Sequence, residues 1–257
     1  MPKAKIKVKL VAATPKQLET IYVAYRTCYS EIPPEKIWEQ IEQGKIASQK
    51  IQESLQKWLA TGHESPLEHV SYVFAISGIS RSLSHQLVRH RIGIAFSQQS
   101  QRYVKFTEDG FNYIVPPLIE KSGLGEDFEK GMEYSIKLYR KLVEGGVPAE
   151  DARFVMPNAS STNFTLSVNF RELVHICDLR LCTRAQWEIR HLAARMRAEV
   201  VKIEPFLGKK LMPHCAWGRK GYCPEPLTAY QKCPMARQRP HLSYIFDQEG
   251  NLISRGS

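Results

Sequence analysis

"RHRIGIAFSQQSQRY", Arg89 to Tyr103, sets three cationic or imidazole side chains in a row and follows an apolar stretch with serines, amides and another arginine. It closes the run "SRSLSHQLVRHR", in which Leu83 and Leu87 recur at helical spacing. Arg89, His90 and Arg91 are therefore expected at the carboxyl end of an apolar helix, where two of them cannot avoid its buried side. A cation there gains about 0.3 to 1 kcal/mol from the helix dipole. That accounts for one arginine, not for three adjacent groups and Arg102. The planar guanidinium fork suits phosphate oxygens. Ser97, Gln98, Gln99, Ser100 and Gln101 add donors and acceptors suited to a ribose or a pyrimidine edge. The segment reads as a nucleotide cradle.

Around it the chain alternates strand and helix patterns. "KIKVKLVAAT" alternates Lys with apolar residues in strand fashion, and Thr14-Pro15 reads as an N-cap with a first-turn proline for a helix running to about Cys28. Pro33-Pro34 opens a second helix around Ile37, Trp38 and Ile41, and Ile51, Leu55, Trp58 and Leu59 mark a third that stops near Gly62. "VSYVFAIS" (70–77) reads as a strand and "FNYIVPP" as a short one. Phe128, Met132, Ile136, Tyr139 and Leu142 make the stripe of a long amphipathic helix ended by Gly145-Gly146. Pro148 starts a short helix that Pro157 ends, "FTLSVN" is extended, and helical pattern runs from about Arg171 to Phe206. The expected architecture is α+β: residues 1–210 as a single α/β catalytic domain, 211–257 as an irregular Cys- and Pro-rich extension.

With 43% hydrophobic residues, disorder is not the expected state. No apolar run approaches the roughly 20 residues that span a bilayer, and the amino terminus has no signal-peptide pattern. A cytoplasmic location without membrane attachment is expected. Lys plus Arg exceed Asp plus Glu by 36 to 26, which favours anionic partners without choosing between nucleic acid, nucleotides and acidic metabolites.

Three other segments bear on chemistry. "HESPLEH" (63–69) is not a zinc HExxH helix, because its histidines are six apart with Pro66 between them. It reads either as a Ser65 N-cap with Pro66 in the first turn, or as a turn exposing Ser65, Glu68 and His63 to a polar ligand. Asn169, Arg171, His175 and Arg180 are expected along one helical surface, with Arg153 in "EDARFVMP" adding a further cation. Cys215, Cys223 and Cys233 with His214 offer soft ligands, but gaps of seven and nine residues fit no familiar zinc spacing. An irregular packed tail whose cysteines are buried or occasionally paired is favoured over a metal site, and sequence alone leaves thiol, disulfide and metal open for them.

The signature at Arg89 resembles that of the flavin-dependent thymidylate synthases, RHR followed seven or eight residues later by Ser-x-Arg-Tyr; here eight residues intervene before Ser100. "HESPLEHVSYVF", "SHQLVRHR", "DARFVMP" and "NFRELVHICDLRLCTRAQWEIR" resemble the same family in matching order, so the likeness runs from about His63 to Arg190. It implies the thymidylate synthase-complementing protein fold, a mixed sheet with long helices, in a homotetramer whose active sites lie between subunits. It further implies FAD, NADPH, dUMP and 5,10-methylenetetrahydrofolate, three of them polyanionic.

Carried over by position, the resemblance assigns FAD binding to Ser65, Arg89, His90, Arg91, Gln98, Asn169, Arg171 and His175. It assigns dUMP binding to Gln86, Arg89, Gln98, Ser100, Gln101, Arg102, Arg153 and Arg180, and sets His63 and Glu68 at the flavin and folate edge. Arg180 is the expected catalytic group, a guanidinium that stabilises negative charge at N3 and O4 of the uracil. Ser100 has amides and arginines around it and no base, so it is read as a binding residue and not a nucleophile. Gln98 stands where many relatives carry Glu, Arg184 where a histidine is common, and His175 where Asn is frequent. A basic nucleic-acid-binding module, colourless and salt-sensitive, and a flavoprotein that oxidises NADPH without making thymidylate remain alternatives.

Overall fold

The structure is a computed structural model that describes residues 3–106, 111–216 and 219–245. Met1 and Pro2, and residues 217–218 and 246–257 of the expected extension, lie outside them. In chain order the elements are β1 Lys7–Ala13, α1 Gln17–Tyr29, α2 Pro34–Glu42, α3 Ser48–Ala60, β2 Ser71–Ser80, α4 Arg81–Leu87, β3 Ile94–Gln98, α5 Pro117–Lys121, α6 Gly125–Glu144, α7 Ala149–Ala152, β4 Ser161–Asn169, α8 Phe170–Arg180, α9 Trp187–Ile203, α10 Pro205–Gly208 and α11 Leu227–Gln231. Short 3-10 turns, including Ser65–His69 and Arg153–Val155, join them. No described helix is long and apolar enough to cross a membrane. The chain divides into two units, Met1–Val11 with Val73–Ser167 and Ala12–Tyr72 with Val168–Ser257.

The four strands hydrogen-bond in the order β1-β2-β4-β3. Period-two alternation builds them: Tyr72, Phe74 and Ile76 of β2 and Phe164, Leu166 and Val168 of β4 are buried, with partly or fully exposed residues between. The expected mixed sheet is corrected to an antiparallel one. Arg81 donates to the Ser160 carbonyl and Gln99 to that of Asn163, while Thr14 donates to Ser71 and Phe170 to Val70. Parallel pairing among the described residues is confined to isolated bridges such as Lys3–Tyr113. "FNYIVPP" is likewise no strand: Tyr113 bridges Lys3 and Ser160 singly, and Pro116-Pro117 turns the chain into α5.

In the first unit α6 follows the predicted stripe. Met132, Ile136 and Tyr139 are buried with Phe111, Tyr113 and Ala152, and Phe128 and Leu142 pack at the margin. Each fully buried side chain of this size contributes about 1.5–3 kcal/mol. In the second unit α1 lies against α2 and α3, burying Leu18, Ile21, Tyr22 and Tyr25, and the Trp58 ring sits 5.5 Å from that of Tyr22 and 5.0 Å from that of Tyr25. α8 packs against α9 and against the turn Ser65–His69.

Predicted helix boundaries change at Thr14 and Phe206. Thr14 caps nothing: its hydroxyl accepts the Ser71 amide at 2.9 Å, tying two strand ends, and α1 begins behind Lys16 at φ 47. The helix expected to reach Phe206 stops at Ile203, where Glu204 leaves helical geometry at ψ 84 and its side chain accepts the Phe206 amide to start α10.

Candidate active site

In the second unit the turn Ser65–His69 and the amino end of α8 carry one group of predicted residues. Ser65 does not cap the turn, whose cap position is Glu64 with no side-chain bond; Ser65 is the turn's first residue and is exposed. Glu68 pairs with Arg171 at the second position of α8. Asn169 is the N-cap, its side-chain oxygen accepting the Glu172 amide at 2.8 Å, which leaves its NH2 group to donate. His175, exposed one turn after Arg171, opposes the burial that raises the Glu172 pKa. His63 is held on both sides: its carbonyl accepts the Tyr25 hydroxyl, and its Nδ1 lies 3.1 Å from the Tyr29 hydroxyl. Burial pushes the Tyr25 phenol up to about 12, so it stays a donor.

Arg180 does not share the surface of Arg171. At about 100° per residue, His175 lies about 40° round the helix from Arg171 and Arg180 about 180°. Arg180 occupies the last turn of α8, where its cation also complements the helix dipole.

The first unit carries the signature. α4 is capped by Ser80, whose hydroxyl accepts the Leu83 amide at 3.0 Å, and it ends at Leu87. The three residues Arg89, His90 and Arg91 therefore lie beyond the helix, which corrects the expectation of a last helical turn. His90 is buried, Arg89 and Arg91 are exposed, and Gly93 at φ 67 reverses the chain into β3. Half-buried Gln86 stands in the last turn of α4. Gln98 donates to Thr162 at 3.3 Å, and Asn163 donates to the Gln99 side chain at 2.9 Å. Ser100 Oγ accepts the Arg102 amide at 3.1 Å, so the serine organises the turn through half-buried Gln101 to Arg102. The Arg102 guanidinium pairs with Glu150 at 2.8 Å, and Arg153 Nε donates to the Glu150 carbonyl at 3.0 Å.

This unit adds a residue that the sequence reading passed over. Arg81 opens α4, where a cation is disfavoured by the dipole. It donates to the Gln99 carbonyl at 3.0 Å, while its Nε is buried without a partner. Burial, then the charge of Arg153, lowers its pKa. An anion beside these guanidiniums would relieve both. Next to Gln99 a cleft of about 440 Å³ is lined by Lys3, Lys5, Lys7 and Asn163 among others.

Apolar side chains beside the signature arginines stand in solvent: Ile92 next to Arg91 is 80% exposed, Tyr103 next to Arg102 is 80% and Phe154 next to Arg153 is 83%. Arg184 pairs with Glu225 of the carboxyl-terminal segment.

A family model described as "Thymidylate synthase complementing protein" matches residues 9–206, a longer stretch than His63 to Arg190. A flavin-dependent thymidylate synthase of Geobacter sulfurreducens is 43% identical over 221 residues, covering 86% of this chain and 91% of that one. Those of Clostridium tetani and Pyrococcus abyssi are 42% identical over 237 residues and 40% over 227, each covering 86% of this chain and 91% or 90% of their own. Among solved structures, the UMP/dUMP methylase PolB from Streptomyces cacaoi, bound with 5-Br dUMP, shares the fold with a TM-score of 0.69 at 20% identity, covering 81% of this chain and 95% of that one.

Proposed function

This chain belongs to the family of thymidylate synthase complementing proteins, and from that premise we infer a flavin-dependent thymidylate synthase that methylates dUMP to dTMP. FAD is its flavin, NADPH the reductant and 5,10-methylenetetrahydrofolate the carbon donor. The observation that carries the reading is the grouping of Arg81, Arg102 and Arg153 around Gln99, Ser100 and Glu150, with one guanidinium nitrogen buried and unpartnered. Such a donor set is completed by a phosphate.

The other donor set fits a flavin nucleotide. Arg171 is oriented by Glu68, His175 is exposed one turn on, and the Asn169 NH2 group is left to donate. When bound, the flavin supplies the hydride that completes the methyl group. Ser65, Arg89, His90 and Arg91 are the family's further positions for it, with Gln98 shared between flavin and uridylate. Arg102, Arg153, Ser100, Gln101 and Gln86 hold and orient dUMP, and Arg180 stabilises negative charge at N3 and O4 of the ring. His63, fixed by two tyrosines, and Glu68 border the folate edge. Ser100 has no base among its hydrogen bonds and is a binding group.

Ile92, Tyr103 and Phe154 support a site shared between protomers of a homotetramer, since large apolar groups flanking binding arginines are covered economically by a second copy. The catalytic residues belong to 1–210, with 211–257 as an extension, in a cytoplasmic enzyme. The test is to release and identify the chromophore of the purified protein, follow its spectrum on adding dUMP, and assay dTMP formation from dUMP and methylenetetrahydrofolate with and without NADPH. A colourless protein, or a flavin spectrum that dUMP leaves unchanged, would overturn the reading.

A further inference from the structure

The family match ends at residue 206, yet the segment after it is tied firmly into the second unit. Arg219 binds both carboxylate oxygens of Asp178 and also Glu64, while the Cys223 amide donates to the Pro240 carbonyl at 2.8 Å. Between the end of α8 and this segment lies a cavity of about 40 Å³, bordered by Cys182, His214, Cys215, Cys223, Glu225 and Cys233. It is far too small for an organic ligand and has room for an ion. All four cysteines are unpaired thiols.

The ligand atoms of Cys182, His214 and Glu225 all lie within 4.8 Å of one another. His214 is 8% exposed, and its Nδ1 is fixed by the Asp178 carbonyl at 3.1 Å. Its other nitrogen, Nε2, is buried with no hydrogen-bond partner. One nitrogen anchored to a carbonyl and the other left bare is how a metal-binding imidazole is held. Cys233 Sγ receives the Met235 amide at 3.4 Å and lies 3.3 Å from the Thr183 hydroxyl, next in sequence to Cys182. Glu225 pairs with Arg184 through one carboxylate oxygen, while the other lies 3.9 Å from His214 Nε2.

We propose that this cavity is a structural zinc site, with Cys182, His214 and Glu225 as ligands and the Cys233 thiol completing a tetrahedron. Thiolate and imidazole together select zinc over the hard divalent cations, and closure by protein ligands alone marks a structural ion. Each coordinating thiol gives up its proton to solvent on binding. The ion would staple the carboxyl-terminal segment to the end of α8, whose Arg180 lies two residues before Cys182. The tail spacing alone misses the site because its first ligand comes from 33 residues before Cys215, on another element.

The experiment uses the untagged full-length protein purified without chelator, analysed for metals by mass spectrometry. About one zinc per chain is expected, retained in Cys28→Ser and lost in Cys182→Ser, His214→Ala and Cys233→Ser. Because those variants can fail to fold, the wild type is also stripped with chelator. Stripping should unmask cavity thiols to a disulfide reagent and lower Tm, and zinc should reverse both. Cobalt in its place should give the intense visible bands of a tetrahedral thiolate site. Chain without zinc whose thiols react fully or are joined as disulfides, an iron-containing centre, or cobalt without thiolate bands would each overturn the proposal. None of these readings involves flavin or dUMP, so they stand or fall apart from the synthase activity.

Discussion

Glu68 and Arg171, 103 residues apart, meet as an ion pair between the turn Ser65–His69 and the first turn of α8. Both side chains are about half exposed, so the pair contributes no more than about 1 kcal/mol to stability. Its consequence is orientation: the guanidinium is held in place for the flavin that the proposed function assigns to it. Arg171→Ala should leave Tm within about 4 °C of wild type while raising the flavin Kd about 10- to 100-fold, the value of a charge-assisted hydrogen bond. Glu68→Gln should fall between. Fluorescence titration of the apoprotein measures both, and an unchanged Kd in Arg171→Ala would remove Arg171 from the site.

Gly78 sits in β2 at φ 68, and a Cβ there would meet the Lys5 carbonyl oxygen at 2.3 Å. Backbone strain and a clash with backbone then act together, so Gly78→Ala should cost at least about 2 kcal/mol. Gly44 has the same left-handed conformation, φ 70, with open space around it. Gly44→Ala isolates the conformational part and should cost about 1 kcal/mol. Urea unfolding of the two variants should separate them clearly; equal losses would mean that the strand shifts to admit the methyl group.

Much of this was legible in the sequence because periodicity reports burial directly. The stripe from Phe128 to Leu142 is the flank of α6, the residues of α1 expected inside are inside, and so are Ile51, Leu55 and Leu59 of α3, with Trp58 half-buried. Boundaries set by distant partners were not legible. Thr14 has the chemistry of a cap, but Ser71 engages its hydroxyl first. "IAFSQ" is a strand because Asn163 and Thr162 lie across from it, and nothing local distinguishes it from a buried turn. The signature arginines were identified by type and spacing, yet their departure from α4 follows from its ending at Leu87 and from Gly93. Arg184 shows the same limit, since its carboxylate partner is 41 residues away.

Arg81 and Arg153 repel each other in the absence of an anion, and the buried Arg81 Nε has nothing to bond. Replacing Arg153 should therefore not destabilise the unliganded protein. It should weaken dUMP, raising KM at least about 10-fold, the loss of one charge-assisted pair, with flavin content unchanged. Saturating dUMP should raise Tm in the wild type and much less in Arg153→Ala. Thermal shift with and without dUMP tests this; an equal shift in both proteins would place the phosphate elsewhere.

Glu64 stands at the centre of a half-buried network, accepting from Arg219 at 2.7 Å and Lys210 at 3.3 Å while Arg219 also grips Asp178. Burial alone would raise the Glu64 pKa, but the two cations outweigh it and hold the carboxyl below its usual 4.5. A carboxyl with a depressed folded pKa contributes stability that is present above the unfolded pKa and is lost as pH falls through the folded one. The stability difference between wild type and Glu64→Gln should thus be constant near neutrality and shrink below pH of about 4.5. Glu172 and Glu204 act in the opposite sense, because burial raises both, and only the difference between variants isolates Glu64. Arg219→Ala should cost about 3 kcal/mol at pH 7, since it strands the partly buried Asp178 carboxylate and leaves Glu64 with Lys210 alone. Urea unfolding across this pH range decides the matter: a difference that grows on acidification would mean that Glu64 is already protonated in the native protein.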